Sequence, residues 1–303
     1  MAIPKSSTSE VEPRAAPAWA RRLQALGTYL SQDAFGGPRP WKLATLINLQ
    51  KGGTGLFVLG LMVFCGNWSA GAWTYLALHG TYGLCWLLKH LAFRDARWEV
   101  RVTWGGGLLT WLAVLGPYWI APVLVVTPLL GLRPEPAPWL LALAIAIHTL
   151  GLALMLAADA QKHAALARGP GLITDGLFAR TRHPNYLGEM LLYAAYALLA
   201  RHWLPWAVLA WVWGMVFLPG MVMMEARMAR HPGWAAYKAR TGFLIPRWQR
   251  PIEKEEPDYR RPSALKAWEL TIHSPWWGCE FPLGAIGLMT GPDRLPPSGW
   301  ICL

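Results

Sequence analysis

Long apolar segments alternate with short charged or proline-rich segments along most of the chain. Six of the apolar segments have the composition of membrane helices, at about residues 54–68, 72–93, 102–126, 139–158, 186–200 and 203–224. The first is short for a span, and the glycines and Pro117 of the third are tolerated where neighbouring helices satisfy the backbone. This pattern predicts an all-α fold, a polytopic integral membrane helix bundle with about six transmembrane helices.

Lysine and arginine are unevenly distributed among the segments that join the predicted spans. The N-terminal arm, the loops after the second and fourth spans, and the segment after the sixth span are basic. The turns after the first, third and fifth spans carry few or no basic residues. Because basic loops stay in the cytoplasm, this bias predicts that both termini are cytoplasmic, which agrees with an even number of spans.

The composition also indicates a membrane protein. The chain is 54% hydrophobic and 15% charged, whereas a soluble domain is about 45–50% apolar and about 25% charged. The net charge of +11 fits basic cytoplasmic loops or an anionic ligand, and the chain carries no nucleic-acid-binding motif. The four cysteines form no CxxC pair, so we expect neither a disulfide framework nor a metal site.

Three regions differ in composition. Residues 1–50 are predicted to be an N-terminal cytoplasmic arm, for which disorder is favoured over an organelle transit peptide. Residues 51–248 form the predicted membrane domain. Residues 249–303 are predicted to be a flexible or interfacial tail, because their apolar run near 281–289 is too short to span a membrane.

Three polar blocks, at residues 159–162, 171–189 and 225–246, follow or precede the last three predicted spans on the cytoplasmic side. We expect these ends to converge on one face of the bundle. Their basic side chains suit phosphate groups, although membrane topology alone also places basic residues there. A tyrosine in the last block has a ring that suits a nucleotide. The candidate residues for such a ligand are Lys162, Arg182, His183, Arg227, Tyr237 and Lys238.

The start of the fifth span carries the most specific pattern. Pro184 suits the first turn of a helix, and Asn185 and Glu189 then lie four residues apart on one face. An acid one turn inside a membrane is costly and is functional by default. Together the two side chains offer the donor and acceptors that would bind an amide such as that of nicotinamide. Alternatively, Glu189 pairs with a basic residue and serves only helix packing.

The RHPNYLGE sequence at 182–189 resembles the signature of membrane steroid 5α-reductases, sterol reductases and their uncharacterised relatives. DAQK at 159–162 resembles the Asn/Asp-x-Gln-Lys of the sterol reductases, and residues 79–99 and 237–246 resemble the uncharacterised branch. The resemblance covers about residues 50–248. It implies that Asp159, Gln161 and Tyr186 join Asn185 and Glu189 in binding NADPH.

The same superfamily includes isoprenylcysteine carboxyl methyltransferases and phospholipid methyltransferases, which use S-adenosylmethionine and share the Arg-His-Pro part of the motif. Asn185 together with Glu189 favours the reductases. Glu225 and Tyr237, however, resemble residues of the methyltransferases as well. Both enzyme classes therefore stay open, as does a non-enzymatic lipid-binding or scaffold protein.

The leading hypothesis is a membrane-bound, NADPH-dependent oxidoreductase that acts on a CH–CH group of a lipophilic enone or sterol- or steroid-like substrate. Such a substrate would enter from the bilayer, where membrane lipids are the other expected partners. Steroid reductases place a catalytic acid and a tyrosine in early helices, and the first three predicted spans contain no acid. The predicted catalytic residues are Tyr82 and Glu189, with Tyr75 and His79 as other proton donors. The compartment is left open between endoplasmic reticulum, another organelle and a bacterial inner membrane.

Overall fold

The computed structural model describes residues 16–129, 135–169 and 171–248. The chain divides into two units, 1–251 and 252–303, and the predicted tail 249–303 lies outside the described residues. The helices are α1 (Ala18–Gln32), α2 (Leu43–Cys65), α3 (Ala70–Ala92), α4 (Trp104–Thr110), α5 (Ile120–Val126), α6 (Pro138–Ala167), α7 (Pro184–Ala200), α8 (Trp203–Val212), α9 (Leu218–Met228) and α10 (Trp234–Arg240). Short π or 3₁₀ turns connect α4 to α5 and α8 to α9. Two short antiparallel strands, β1 (Trp41–Lys42) and β2 (Arg101–Val102), pair beside the start of α2.

Within the described residues, four helical stretches are long and apolar enough to cross a membrane, which indicates an integral membrane protein. They are Leu43–Cys65, Trp104–Val126, Pro138–Ala167 and Trp203–Met228. Two further helices, α3 and α7, form where the second and fifth spans are predicted and pack against these four. The count of six spans and the cytoplasmic position of both termini stay predictions.

Two helices differ from the sequence prediction near the N-terminus. The arm predicted to be disordered contains α1, which is amphipathic and packs against α4. The Oγ1 of Thr103 donates to the carbonyl of Ala34 at 2.8 Å and helps hold the two helices together. Helix α2 begins at Leu43 rather than near residue 54. Polar residues interrupt the apolar pattern there, but Gln50 and Lys51 are buried in the bundle.

Glycines bring the central helices unusually close together. In the α2–α3 pair, a Cβ on Gly83 would lie 2.5 Å from the carbonyl oxygen of Lys51. In the α6–α7 pair, a Cβ on Gly188 would lie 2.6 Å from the carbonyl oxygen of Gly151. Small residues at such contacts let membrane helices approach closely. These two contacts fix the positions of α3 and α7, on which the candidate site is built.

The predicted cytoplasmic ends of α3, α6, α7 and α9 lie together at one end of the bundle. Lys89 of α3 pairs with Asp159 of α6, and Phe93 stacks on His163 with ring centroids 5.2 Å apart. The three polar blocks predicted to converge are in contact with one another through side chains described below. The structure therefore places the polar residues of three separate segments around a single end of the bundle.

Candidate active site

A buried polar cluster joins α2, α3 and α7 in the interior of the bundle. The Nζ of Lys51 lies 2.6 Å from Oε1 of Glu189 and 2.5 Å from the hydroxyl oxygen of Tyr82. The hydroxyl of Tyr82 also donates to Oε1 of Glu189 at 3.4 Å. The predicted catalytic pair, Tyr82 and Glu189, is therefore brought together, with Lys51 in contact with both.

The glycine contacts explain why these side chains meet. Tyr82 directly precedes Gly83, and Lys51 supplies the carbonyl oxygen against which Gly83 packs. Glu189 directly follows Gly188, which packs against α6. The close approach of the helix backbones thus places three polar side chains at one point. Larger residues at these two glycine positions would hold the helices apart and prevent the three polar side chains from meeting.

Aromatic rings enclose the cluster. The Nζ of Lys51 lies 3.5 Å from the ring centroid of Trp86, a cation–π contact that stabilises a buried ammonium. The hydroxyl of Tyr193 lies 3.5 Å from that of Tyr82, and the ring of Tyr118 stacks on Tyr193 with centroids 4.1 Å apart. Tyr82 is fully buried. The cluster is consequently shielded from water, and its electrostatic interactions are strong.

One edge of the cluster keeps free hydrogen-bonding groups. The side chain of Asn185, half-buried in the first turn of α7, makes no hydrogen bond with any residue that the structure describes. Oε2 of Glu189 likewise has no hydrogen-bond partner among the described residues, because Lys51 and Tyr82 both contact Oε1. About one helical turn, roughly 5.4 Å, separates the two residues along the helix. This edge can therefore bind a small group with both donors and an acceptor, such as a primary amide.

A second polar network ties the start of α7 to the C-terminal block. Arg182 is buried and pairs with Glu225 of α9. Its Nη1 donates to the carbonyls of Thr241 at 2.6 Å and of Lys238 at 3.3 Å. The exposed Nζ of Lys238 lies 3.5 Å from Oε2 of Glu225. Arg182 and Glu225 therefore join the start of α7 to α9 and to the C-terminal block, independently of any bound ligand.

Two more predicted ligand residues are buried in this network. His183 is fully buried, and its Nε2 lies 3.8 Å from Glu225. Burial lowers the pKa of His183, while the nearby carboxylate partly opposes that shift. The hydroxyl of Tyr237 donates to the carbonyl of Phe178 at 2.9 Å, and burial raises the pKa of Tyr237 to about 12. Both residues are neutral packing elements in this structure, and their roles in ligand binding stay predictions.

The remaining predicted ligand residues lie around the same end of the bundle. Gln161 donates to the carbonyl of Asp175 at 2.9 Å and accepts from the backbone N–H of Leu177 at 3.1 Å, which fixes the loop before α7. Tyr186 packs its ring against Phe217. Lys162 is half-buried and Arg227 is exposed, and neither makes an ion pair within the described part of the chain.

Lys51 is a site residue that lies outside the candidates predicted from the sequence. A lysine within a segment that continues as a membrane helix is functional by default. The apolar pattern, however, predicts that the first span begins only near residue 54, after that lysine. A second buried group lies one turn along α3, where His79 stacks on Tyr196 and its Nδ1 is hydrogen-bonded to the hydroxyl of Tyr75 at 3.2 Å.

Metal-binding chemistry has no visible support in the described residues. No group of three or more His, Cys, Asp or Glu side chains in 16–129, 135–169 and 171–248 is arranged to hold a metal ion. The acids of the site are instead paired with basic side chains.

Comparison with known proteins places the chain in a family. A family model described as a protein of unknown function (DUF1295) matches residues 24–241. Uncharacterized protein C7D4.09c of Schizosaccharomyces pombe is 46% identical over 41 residues, or 14% of this chain and 15% of that protein. Uncharacterized protein C594.04c of the same organism is 28% identical over 92 residues, or 28% of this chain and 27% of that protein.

These two matches span less than a third of the length of either relative. No solved structure matches the chain. The family model, in contrast, covers the helices that carry Lys51, Tyr82 and Glu189, together with the first two polar blocks and residues 225–241 of the third. The chain therefore belongs to the DUF1295 family, which lies within the steroid 5α-reductase-like superfamily.

Proposed function

We propose that this protein is a membrane-bound, NADPH-dependent reductase of a carbon–carbon double bond in a lipophilic enone or a sterol- or steroid-like molecule. The observation that carries the proposal is the buried phenol of Tyr82, held between Lys51 and Glu189. Reduction of a double bond adds a proton as well as a hydride, so it needs a proton donor in a site without water. Tyr82 has the position and the chemistry of that donor.

The free edge of the cluster fits the nicotinamide end of the cofactor. Asn185 offers a donor and an acceptor, and Oε2 of Glu189 offers a second acceptor, which complement a carboxamide. NADPH bound there would supply the hydride. Arg227 and Lys238 are exposed at the same end of the bundle and suit its phosphates, as does the half-buried Lys162 near the end of α6.

The chain's own residues account for the other requirements. Tyr82 holds the transferable proton at its hydroxyl, and Lys51 orients that hydroxyl by donating to it. The rings of Trp86 and Tyr193 keep water away. Tyr193 also lines a small, mainly apolar cleft between α5, α7 and α8; an apolar substrate would enter from the bilayer.

The alternative proposal is an S-adenosylmethionine-dependent methyltransferase. Its support is the set of Arg182, Glu225 and Tyr237. These residues resemble positions of the methyltransferases as well as of the reductases. Those three side chains, however, bind one another or nearby backbone and give no preference between the cofactors. Methyl transfer to a carboxylate needs no buried proton donor, so it leaves the arrangement around Tyr82 without a purpose.

Thermal unfolding of the detergent-solubilised protein with each cofactor tests the proposal. A ligand at a hundred times its Kd adds about 2.7 kcal/mol of stability, and we expect this from NADPH. Asn185→Ala should weaken NADPH binding. The matched control is Asn67→Ala. The side chain of Asn67 donates to the carbonyl of Val126 just beyond the C-terminal end of α2, away from the candidate site. Its loss should therefore lower the stability without changing the affinity for NADPH.

The outcomes separate the three functions. Stabilisation by S-adenosylmethionine and not by NADPH would replace the reductase with the methyltransferase. Stabilisation by neither would favour a non-enzymatic lipid-binding role. Undiminished NADPH binding by Asn185→Ala would remove Asn185 from the nicotinamide site.

A further inference from the structure

A cavity lies at the end of the bundle opposite the candidate active site. Its volume is about 360 Å³, within the range of about 300–1,000 Å³ that ligand sites have in proteins. It is lined by the C-terminal ends of α2, α5 and α7 and by the N-terminal ends of α3 and α6. Along α2, Cys65 in its lining is 14 residues from Lys51, a separation of roughly 21 Å. The cavity is therefore separate from the buried polar cluster.

The cavity combines an apolar floor with a charged rim. Leu124, Val126 and Leu199 are buried and form part of the floor. Glu135 and Arg201 also line the cavity, and both are exposed. Among the described residues of these five helix ends, they are the only Asp, Glu, Lys or Arg. A ligand with an apolar part and with both signs of charge fits this lining.

Arg201 is unusual in both its sequence position and its backbone conformation. The turns at this end of the bundle carry few or no basic residues, and Arg201 lies in one of them, between α7 and α8. Its φ is +47°, in the left-handed region that glycine adopts without strain. An arginine held in this conformation indicates that its side chain has a role there. A guanidinium at the rim of a cavity suits a phosphate, to which it donates two parallel hydrogen bonds.

The opposite charge at the rim suits a cation. The carboxylate of Glu135 accepts from the backbone N–H groups of Ala70 at 3.2 Å and Gly71 at 3.3 Å. Because a carboxylate has about four acceptor positions, it retains the capacity to bind a further donor. The C-terminal ends of three helices add partial negative charge around the same cavity. These acceptors favour a primary ammonium, which donates three hydrogen bonds, over a quaternary ammonium, which donates none.

We infer that this cavity is a second ligand site, which binds the headgroup of a phospholipid that carries a phosphate and a primary ammonium, as phosphatidylethanolamine does. Arg201 binds the phosphate, Glu135 binds the ammonium, and the apolar floor contacts the glycerol and the start of the acyl chains. Free phosphoethanolamine has the same charged groups but lacks the part that the floor would contact, so the lining favours the lipid. The site is independent of the proposed function, because it lies away from the residues assigned to the reaction.

The thiol of Cys65 reports on the occupancy of the cavity, because it is half-buried in the lining. The probe protein keeps Cys65 and has Cys85, Cys279 and Cys302 replaced by serine. Its rate of modification by N-ethylmaleimide is measured in phosphatidylcholine nanodiscs, with and without added phosphatidylethanolamine. We expect the added lipid to slow the modification about tenfold, as a ligand at about ten times its Kd would do. The same fraction of phosphatidylglycerol, which has the phosphate without the ammonium, should have little effect.

Variants of the two charged residues assign the contacts. Arg201→Gln should remove the protection of Cys65, and Arg201→Lys should restore most of it. Glu135→Gln should abolish the difference between phosphatidylethanolamine and phosphatidylcholine. The matched control is Arg22→Gln, which removes the same charge from an exposed position on α1 and should leave the protection unchanged. Native mass spectrometry of the same variants counts the phosphatidylethanolamine that each retains, which gives a second measurement that does not depend on the thiol.

Several results would overturn the inference. Equal protection by phosphatidylglycerol would remove the role of the ammonium, and unchanged protection in Arg201→Gln would remove the assigned phosphate contact. Equal protection by soluble phosphoethanolamine would show that the lipid is not the ligand. If the thiol of Cys65 does not react under any condition, the retained lipid decides: loss in Arg201→Gln supports the site, and equal retention overturns it. Failure of NADPH to stabilise the protein would overturn the proposed reductase and leave this site standing.

Discussion

The amine of Lys51 in α2 lies 2.6 Å from the carboxylate of Glu189 in α7, although the two residues are 138 positions apart in the chain. The same amine contacts the hydroxyl of Tyr82 in α3. One lysine therefore links three helices and orients the side chain assigned to proton transfer. Its contribution to stability and its contribution to chemistry can be measured separately.

Removing the lysine should destabilise the fold strongly. We expect Lys51→Met to lower the free energy of unfolding by about 3–5 kcal/mol, because Glu189 would remain as a buried, unpaired charge. Lys42→Met removes the surface pair with Glu99 and should lower the stability far less, because solvent screens an exposed ion pair. Denaturation of both variants in the same detergent gives the comparison. Equal losses would mean that the Lys51 pair is screened by water.

Glu189→Gln should have two consequences that a double variant can separate. The substitution leaves the ammonium of Lys51 unpaired, so stability should fall, and it removes an acceptor for the nicotinamide amide, so NADPH affinity should fall. Combining it with Lys51→Met removes both charges and should recover most of the stability. NADPH affinity should stay low in the double variant. Recovery of the affinity together with the stability would show that Glu189 serves packing alone.

Two glycines of α3 should respond in opposite ways to alanine. A Cβ on Gly83 would lie 2.5 Å from the backbone oxygen of Lys51, whereas a Cβ on Gly80 meets nothing within 4 Å. Gly83→Ala should force α2 and α3 apart and cost about 1–3 kcal/mol. Gly80→Ala should be neutral or slightly stabilising, because alanine has the higher helix propensity. Melting temperatures of the pair test this, and similar values would contradict the close helix contact.

Gly83→Ala should also affect the site itself. Separation of the helices would lengthen the contacts of Lys51 with Tyr82 and Glu189, so the stabilisation of the protein by NADPH should weaken as well. Gly80→Ala should leave that stabilisation intact.

His183 should make stability depend on pH. Burial lowers its pKa below the ordinary 6.5. Below pH 6.5, His183 therefore binds a proton more readily in the unfolded chain than in the folded protein. Stability should therefore fall as the pH drops from 6.5 toward the lowered pKa, and this contribution should vanish above 6.5. His183→Gln should flatten the pH dependence below about pH 6.5. His163→Gln, at an exposed position, serves as the control and should retain it. An unchanged profile for His183→Gln would mean that His183 is hydrated in the folded protein.

Local pattern was enough to predict the helical membrane fold and the start of α7. Pro184 marks its first turn, and the spacing of Asn185 and Glu189 places them on one face. The expectation that a membrane acid must be partnered also holds, since Glu189 is paired with Lys51. Each of these conclusions depends only on residues within a few positions of one another.

The sequence by itself determined which segments are apolar enough to be helices and which polar side chains are costly to bury, because both properties belong to short stretches of chain. Only the tertiary structure decided that α1 is ordered, that α2 begins at Leu43, and that Lys51 is the partner of Glu189 and Tyr82. These outcomes depend on how closely separate helices approach. That distance is set by the glycine contacts between α2 and α3 and between α6 and α7. A buried lysine is stable only beside its distant carboxylate, so its role emerges from the assembled bundle rather than from its neighbours in the chain.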